Sequence, residues 1–146
     1  MKIREIKRPG ESIFRAVTAL LPQLSPGGAV LTPEHLSRIL KRKGTHLFVA
    51  ENNRKIAGML TLVSYEIPSA TRFWIEDVVV DESFRGKGIG RELVLFAIEF
   101  AKAKGASSID LTSRPSRVAA NLLYQKTGFE RRETFTYRYY IRKSDL

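Results

Sequence analysis

The run Arg85-Gly86-Lys87-Gly88-Ile89-Gly90-Arg91 places three glycines and three cations within seven residues. Small residues let backbone N–H groups come close to an anion, and Arg85, Lys87 and Arg91 surround the same point with positive charge. The run joins an apolar, β-rich segment at residues 74–80 to a strongly amphipathic one. Its amides therefore stand at the positive end of a helix, where they have no intrahelical acceptor. The ligand this suits is a pyrophosphate. Two common phosphate motifs fail on spacing. A dinucleotide fingerprint needs glycine or alanine where Arg91 or Leu93 stands, and a nucleotide P-loop needs serine or threonine where Gly88 follows Gly86-Lys87.

Two other groups have the chemistry to move protons. Glu76 and Asp77 interrupt the apolar run Trp74-Ile75-Glu76-Asp77-Val78-Val79-Val80. Strand alternation sends them to opposite faces, and partial burial would raise their pKa values toward those of a useful base. Asn121 and Tyr124 are three residues apart, so a helix presents both to one ligand, while Leu122 and Leu123 can turn to the sheet. A phenol placed at a leaving group can deliver a proton, a contribution of ~10²- to 10⁴-fold. Each residue also fits a plain structural role. A carboxylate at a strand end pairs with a neighbouring cation, and a tyrosine packs its ring on a sheet.

The chain has no cysteine and no Gly-x-Ser-x-Gly elbow, so a thiol or serine acyl-enzyme is not expected. Its two histidines, His35 and His46, lie outside any ligand spacing and read as ordinary helix and strand-edge residues, so no metal site is expected.

The elements that must position these groups follow from periodicity and caps. Residues 2–6 form a first strand. Residues 11–21 place Phe14, Val17, Leu20 and Leu21 at helical spacing, and Pro22 ends that helix. Thr32-Pro33-Glu34 opens a second helix bearing Leu36, Ile39 and Leu40. Residues 46–51 and 56–65 make a hairpin around Asn52-Asn53, and residues 73–80 the next strand. Residues 89–104 carry Ile89, Leu93, Phe96, Ala97, Phe100 and Ala101 on one face and stop at Gly105. Residues 107–112 form a strand, Ser116 caps a helix to about residue 126, and residues 134–142 form a last strand rich in tyrosine and threonine. The order β-α-α-β-β-β-α-β-α-β gives an α/β protein, a mixed sheet with helices on both faces.

A length of 146 residues with 43% hydrophobic composition supports one core, and no linker or repeat divides it, so residues 1–146 are expected to be a single domain. The charged start and the lack of a long apolar stretch point to a cytoplasmic protein that does not enter membranes. The net charge of +10 suggests an anionic ligand. The basic residues are dispersed, with no aromatic-interleaved basic strand, which disfavours nucleic acid as that ligand.

The spacing Arg85-x-x-Gly88-x-Gly90 after the fourth strand resembles the coenzyme A signature of the GNAT N-acetyltransferase superfamily. So does Asn121-x-x-Tyr124 followed by Gly128-Phe129. The resemblance covers residues 74–129 and is only architectural before them. It implies the GNAT fold, acetyl-CoA as co-substrate and a primary amine of a small molecule or peptide as acceptor. It also implies backbone contacts to the cofactor at Val78, Val79 and Val80, and a pyrophosphate held by Arg85, Gly86, Lys87, Gly88, Ile89, Gly90 and Arg91. Asn121 would hydrogen-bond the pantetheine arm, Lys126 would be a further cofactor contact, and Tyr124 would lie near the thioester sulfur as general acid. Glu76, preferred to Asp77, would be the base. The run Trp-Ile-Glu-Asp is similar to that of glucosamine-6-phosphate N-acetyltransferases, which keeps amino-sugar phosphate among the acceptors, with Arg72, residues 41–43 and Arg138 as anion contacts. A coenzyme A-binding module without turnover, a nucleic-acid-binding protein and a homodimer remain as alternatives or additions.

Overall fold

Leu47-Phe48-Val49-Ala50 is an unbroken apolar run, as expected for a strand covered on both sides. The computed structural model, which describes residues 1–146, places it in the middle of β2 (Thr45–Asn52). β2 lies between β1 (Lys2–Ile6) and β3 (Lys55–Ile67), and β4 (Ala70–Val80) completes an antiparallel sheet of order β1-β2-β3-β4. Phe48 and Ala50 face a core shared with α3 (Ile89–Ala103) and with Tyr124 of α4 (Val118–Lys126). Leu47 and Val49 face a second core shared with α1 (Glu11–Leu24) and α2 (Pro33–Lys41). Period-2 alternation thus divides one strand between two helical layers.

Local signals place most element ends. The hairpin between β2 and β3 turns at Asn53 and Arg54, whose φ values of 48° and 64° suit a two-residue turn that follows strand twist. Thr32 caps α2 by accepting from the His35 N–H at 3.1 Å, with Pro33 in the first turn. α3 closes on Gly105 at φ 83°, where the Ala106 N–H bonds the Ala101 carbonyl and the Gly105 N–H bonds that of Lys102. This is a Schellman motif.

Four expectations need correction. α1 does not stop at Pro22 but runs to Leu24, because a proline in the last turn forfeits only its own N–H and Ser25 still bonds the Leu21 carbonyl at 2.9 Å. Ser116 does not cap α4; Arg117 holds that position without a side-chain bond. Residues 107–112 form no full strand. Only Asp110 bridges to β4, in parallel register with Trp74, through its N–H to Phe73 and its carbonyl to Ile75, both 2.9 Å. Residues 134–142 pair with nothing and lie exposed, since β propensity needs a neighbouring strand to be realised. No helix is long and apolar enough to cross a membrane.

Candidate active site

The site begins with a fault in β4. Thr61 is opposite Glu76 and Met59 opposite Val79, so Leu60 faces two residues, Asp77 and Val78. Asp77 takes φ 47°, and the ladder is broken there by a β-bulge. The extra residue reverses the strand's phase. Phe73 and Ile75 point into the α3 core, whereas beyond the bulge Val78 and Val80 do so and Val79 turns to the α1–α2 core. Gly58 accommodates the bent strand, since a Cβ there would stand 2.9 Å from the Val79 carbonyl oxygen.

The carboxylates Glu76 and Asp77 sit at the start of the bulge; both are exposed and near enough to interact. Burial of its inner atoms raises the Glu76 pKa above 4.5, and the neighbouring Asp77 charge adds to the rise. Burial alone raises Asp77 above 3.8.

Past Val80 the chain makes a short 3₁₀ turn, Glu82–Phe84, and enters the glycine run. Gly86 and Gly88 take φ values of 75° and 79°, and a Cβ on either would meet nothing within 4 Å. Their small size serves backbone conformation and leaves the concave side open. Gly90 serves packing, because a Cβ would stand 3.1 Å from Cδ1 of Leu123. The first backbone bond of α3 runs from Glu92 N–H to the Gly88 carbonyl, so the amides of residues 86–91 have no backbone acceptor. Unpaired amides at a helix start form an anion cradle that a phosphate oxygen fits. Arg85 braces it by donating from Nε to the Val80 carbonyl at 3.1 Å.

α4 supplies the opposite wall. It ends in a second Schellman motif: Gly128 at φ 100° donates to Gln125, and the Phe129 N–H donates to the Tyr124 carbonyl at 2.9 Å. The hydrophobic contact typical of this motif is Phe129 edge-on to Tyr124, with ring centroids 6.0 Å apart. The spacing Tyr-x-x-x-Gly-Phe therefore locks the tyrosine ring. Tyr124 is 7% exposed, and burial raises its pKa above 10, with Arg117 partly offsetting the rise. At neutral pH it carries its proton.

These walls enclose one cleft of ≈ 710 Å³. Val78, Val79 and Val80 line it from the strand; Arg85, Gly86, Gly88, Ile89, Gly90 and Arg91 line it from the loop and helix start; Tyr124 lines it from α4. Five expected residues do not. Glu76 and Asp77 lie further back along β4, Lys87 stacks on Phe84 at 5.1 Å, and Lys126 is exposed at the far end of α4. Asn121 donates to the Arg114 carbonyl at 2.9 Å, which holds the turn before α4. Leu122 is 50% exposed rather than turned to the sheet.

The cleft also uses residues that sequence reasoning passed over. Phe84 and the 116–120 segment line it. Gln23 does too, and it staples α1 to the loop by donating to Asp81 at 3.1 Å and accepting from the Glu82 N–H at 2.9 Å. A pairing over 58 residues leaves no local signal.

A bulged strand feeding a run of free amides, opposite a buried phenol, defines an α/β protein whose single-walled anion cradle and proton-carrying tyrosine open on the same cleft. The model of the acetyltransferase (GNAT) family matches residues 15–129, most of the chain, and the protein belongs to that family. Human N-acetyltransferase 8 is 30% identical over 94 residues, 63% of this chain and 41% of that one. The chain spans less than half the length of this and other curated relatives it matches. A solved putative acetyltransferase from Agrobacterium tumefaciens superposes with a TM-score of 0.84 at 26% identity, over 95% of this chain and 100% of that one. Glucosamine-6-phosphate N-acetyltransferase from Arabidopsis thaliana does so with a TM-score of 0.77 at 26% identity, over 96% and 98%.

Proposed function

We propose that the protein transfers the acetyl group of acetyl-CoA directly to a primary amine. The observation that carries this reading is a cleft lined at one end by Gly86 and residues 88–91, whose amides have no backbone acceptor, and along α4 by Tyr124. The amides and Arg85 hold the pyrophosphate, while the bulged end of β4 orients the thioester. The Val79 N–H polarises its carbonyl.

The acceptor ammonium loses a proton to Glu76 or Asp77, directly or through water, and the neutral nitrogen attacks the thioester carbon. A carbon–nitrogen bond forms, the carbon–sulfur bond breaks, Tyr124 gives its proton to the departing sulfur, and the second proton lost by the nitrogen restores the phenol through water. Raised carboxylate pKa values favour accepting a proton, and the raised phenol pKa keeps one available to give. Asn121 acts through the Arg114 turn, and Lys87 and Lys126 contribute outer positive charge.

An amino-sugar phosphate is the narrower reading of the acceptor, favoured by Ile75-Glu76-Asp77 and by the likeness to the Arabidopsis enzyme. The test is acetyl-CoA consumption over amino-sugar phosphates, amino acids, polyamines and peptides, with Tyr124→Phe and Glu76→Gln beside wild type. Tyr124→Phe should lower kcat by ~10²-fold or more while coenzyme A affinity stays within about threefold. Calorimetry showing no affinity for coenzyme A would refute the assignment. Binding without turnover on every amine would instead mark a non-catalytic module.

A further inference from the structure

The outer end of the β3–β4 hairpin keeps one face bare. Phe73 and Ile75 point into the α3 core, so alternation turns Arg72, Trp74 and Glu76 to the other side, next to their cross-strand partners Tyr65, Val63 and Thr61. α1 and α2 cover that side only further along, where Met59 and Val79 enter the second core; none of residues 61–65 or 72–76 does. Tyr65 is 45% exposed and Trp74 is half-buried. The Trp74 indole N–H donates to the Tyr65 hydroxyl at 3.1 Å, a diagonal pairing that fixes the ring on the sheet. Aromatic rings held still at a surface offer flat apolar area at little cost in conformational entropy.

Charge is divided across this platform. Glu76 stands at one end and Arg72 at the other, and neither has an ion-pair partner in the chain. The Gly44 carbonyl accepts the Ser64 N–H at 2.7 Å, which brings the turn carrying Arg42 and Lys43 to the same end of the hairpin as Tyr65 and Arg72. Glu76 adjoins the bulge, beyond which Val78, Val79 and Val80 of the same strand line the cleft. Outward from the cleft, the order is carboxylate, rings, cations. From Glu76 to Arg72 the strand spans ~14 Å, and two long side chains reaching inward leave room for one ring with a substituent at each end.

We propose that Trp74 and Tyr65 form the platform for the acceptor and Arg72 its anion contact, so that the amine acetylated here is carried on a ring with a carboxylate or phosphate on its far side. This rests on acetyl transfer to an amine as the reaction and names the substrate class for it. The ring lies on the indole, the ammonium faces Glu76, and the acid pairs with Arg72. A planar guanidinium fork suits carboxylate and phosphate alike. A linear polyamine brings neither ring nor acid and meets Arg72 and the turn at 42–43 as like charge.

Trp74 is the only tryptophan of the chain, so its fluorescence reads the platform directly. Two matched pairs of probes separate the ring from the acid: glucosamine 6-phosphate against glucosamine, and para-aminomethylbenzoate against benzylamine, with spermidine as the linear amine. At least one acid-bearing ring amine should change Trp74 emission saturably, and its kcat/KM should exceed that of its acid-free partner about 10- to 100-fold, the worth of a hydrogen bond to a charged group. Which pair responds tells phosphate from carboxylate. Arg72→Gln should reduce the ratio within the pair to about threefold or less, and Arg72→Lys should restore part of it, since the charge returns without the fork. Trp74→Leu should raise KM for the ring amine about tenfold with kcat nearly kept, and calorimetric coenzyme A binding checks that each variant is folded. Equal turnover of acid-bearing and acid-free amines, a preference for spermidine, or turnover that leaves Trp74 emission unchanged would overturn the proposal. Saturable change in emission without acetyl-CoA consumption would instead overturn the transfer reading and leave the platform standing. Silence of both signals with every probe would overturn the substrate class.

Discussion

The clearest test of how Tyr124 is held uses a feature the chain contains twice. α3 and α4 both end in Schellman motifs, with Gly105 at φ 83° and Gly128 at φ 100°. A Cβ at either position meets nothing within 4 Å, so replacement by alanine costs backbone conformation only. A left-handed conformation disfavours an L-residue by about 1–2 kcal/mol. The stiffer unfolded chain returns about 0.4–1 kcal/mol. The net loss of about 1 kcal/mol lowers Tm by roughly 2–4 °C in a chain of this size. Gly105→Ala and Gly128→Ala should therefore melt alike. Their kinetics should differ, because only Gly128 secures a helix end through Phe129 and the Tyr124 ring. A misplacement near 1 Å of a reacting group can cost about 100-fold, so a partly loosened phenol should lose about tenfold in kcat. Gly105→Ala should keep kcat, and Gly128→Asn should recover part of the loss, since asparagine tolerates positive φ. Differential scanning fluorimetry and steady-state acetyl-CoA kinetics measure both quantities. Equal kcat in the two alanine variants, with both destabilised, would refute the coupling of motif to phenol.

Gly88→Ala strains the amide cradle at φ 79° and should weaken coenzyme A binding about tenfold by calorimetry, the equivalent of ~1.4 kcal/mol. Gln23→Ala removes both bonds between α1 and the turn at Asp81–Glu82 and should cost about 1–2 kcal/mol of stability in urea unfolding. In pH profiles, kcat/KM should rise on an acid limb above the ordinary 4.5 and 3.8 of Glu and Asp, moved by Glu76→Gln, while an alkaline limb above 10 disappears in Tyr124→Phe. Since the folded pKa of Glu76 is raised, its contribution to stability is present below the unfolded value and lost as pH rises through the folded one. Glu76→Gln should consequently gain stability over wild type at pH 7 relative to pH 4.

What could be read in advance was written in neighbouring residues. The Thr32-Pro33 cap, the Gly105 stop and the glycines at 86, 88 and 90 act on chain within a few positions of themselves, so types and spacing sufficed to place them. The GNAT fold followed once these local pieces fell in the right order, and the family match over residues 15–129 agrees with it. The bulge escaped notice because nothing between Glu76 and Val78 announces it. Strand alternation is a sound rule until the partner strand contributes one residue fewer, and there the phase of Val78, Val79 and Val80 reverses relative to Phe73 and Ile75.

The same reasoning separates the two tyrosine-bearing segments. Tyr124 lies in a helix whose hydrogen bonds are internal and whose cap is encoded by Gly128-Phe129, so its position depends mainly on chain within five residues. Tyr137, Tyr139 and Tyr140 lie in a sequence that can only be a strand if another strand meets it, and β1–β4 offer none to it. A helix can be specified by one segment, whereas a strand is specified by two. Composition and spacing within residues 134–142 record the capacity to pair without recording a partner.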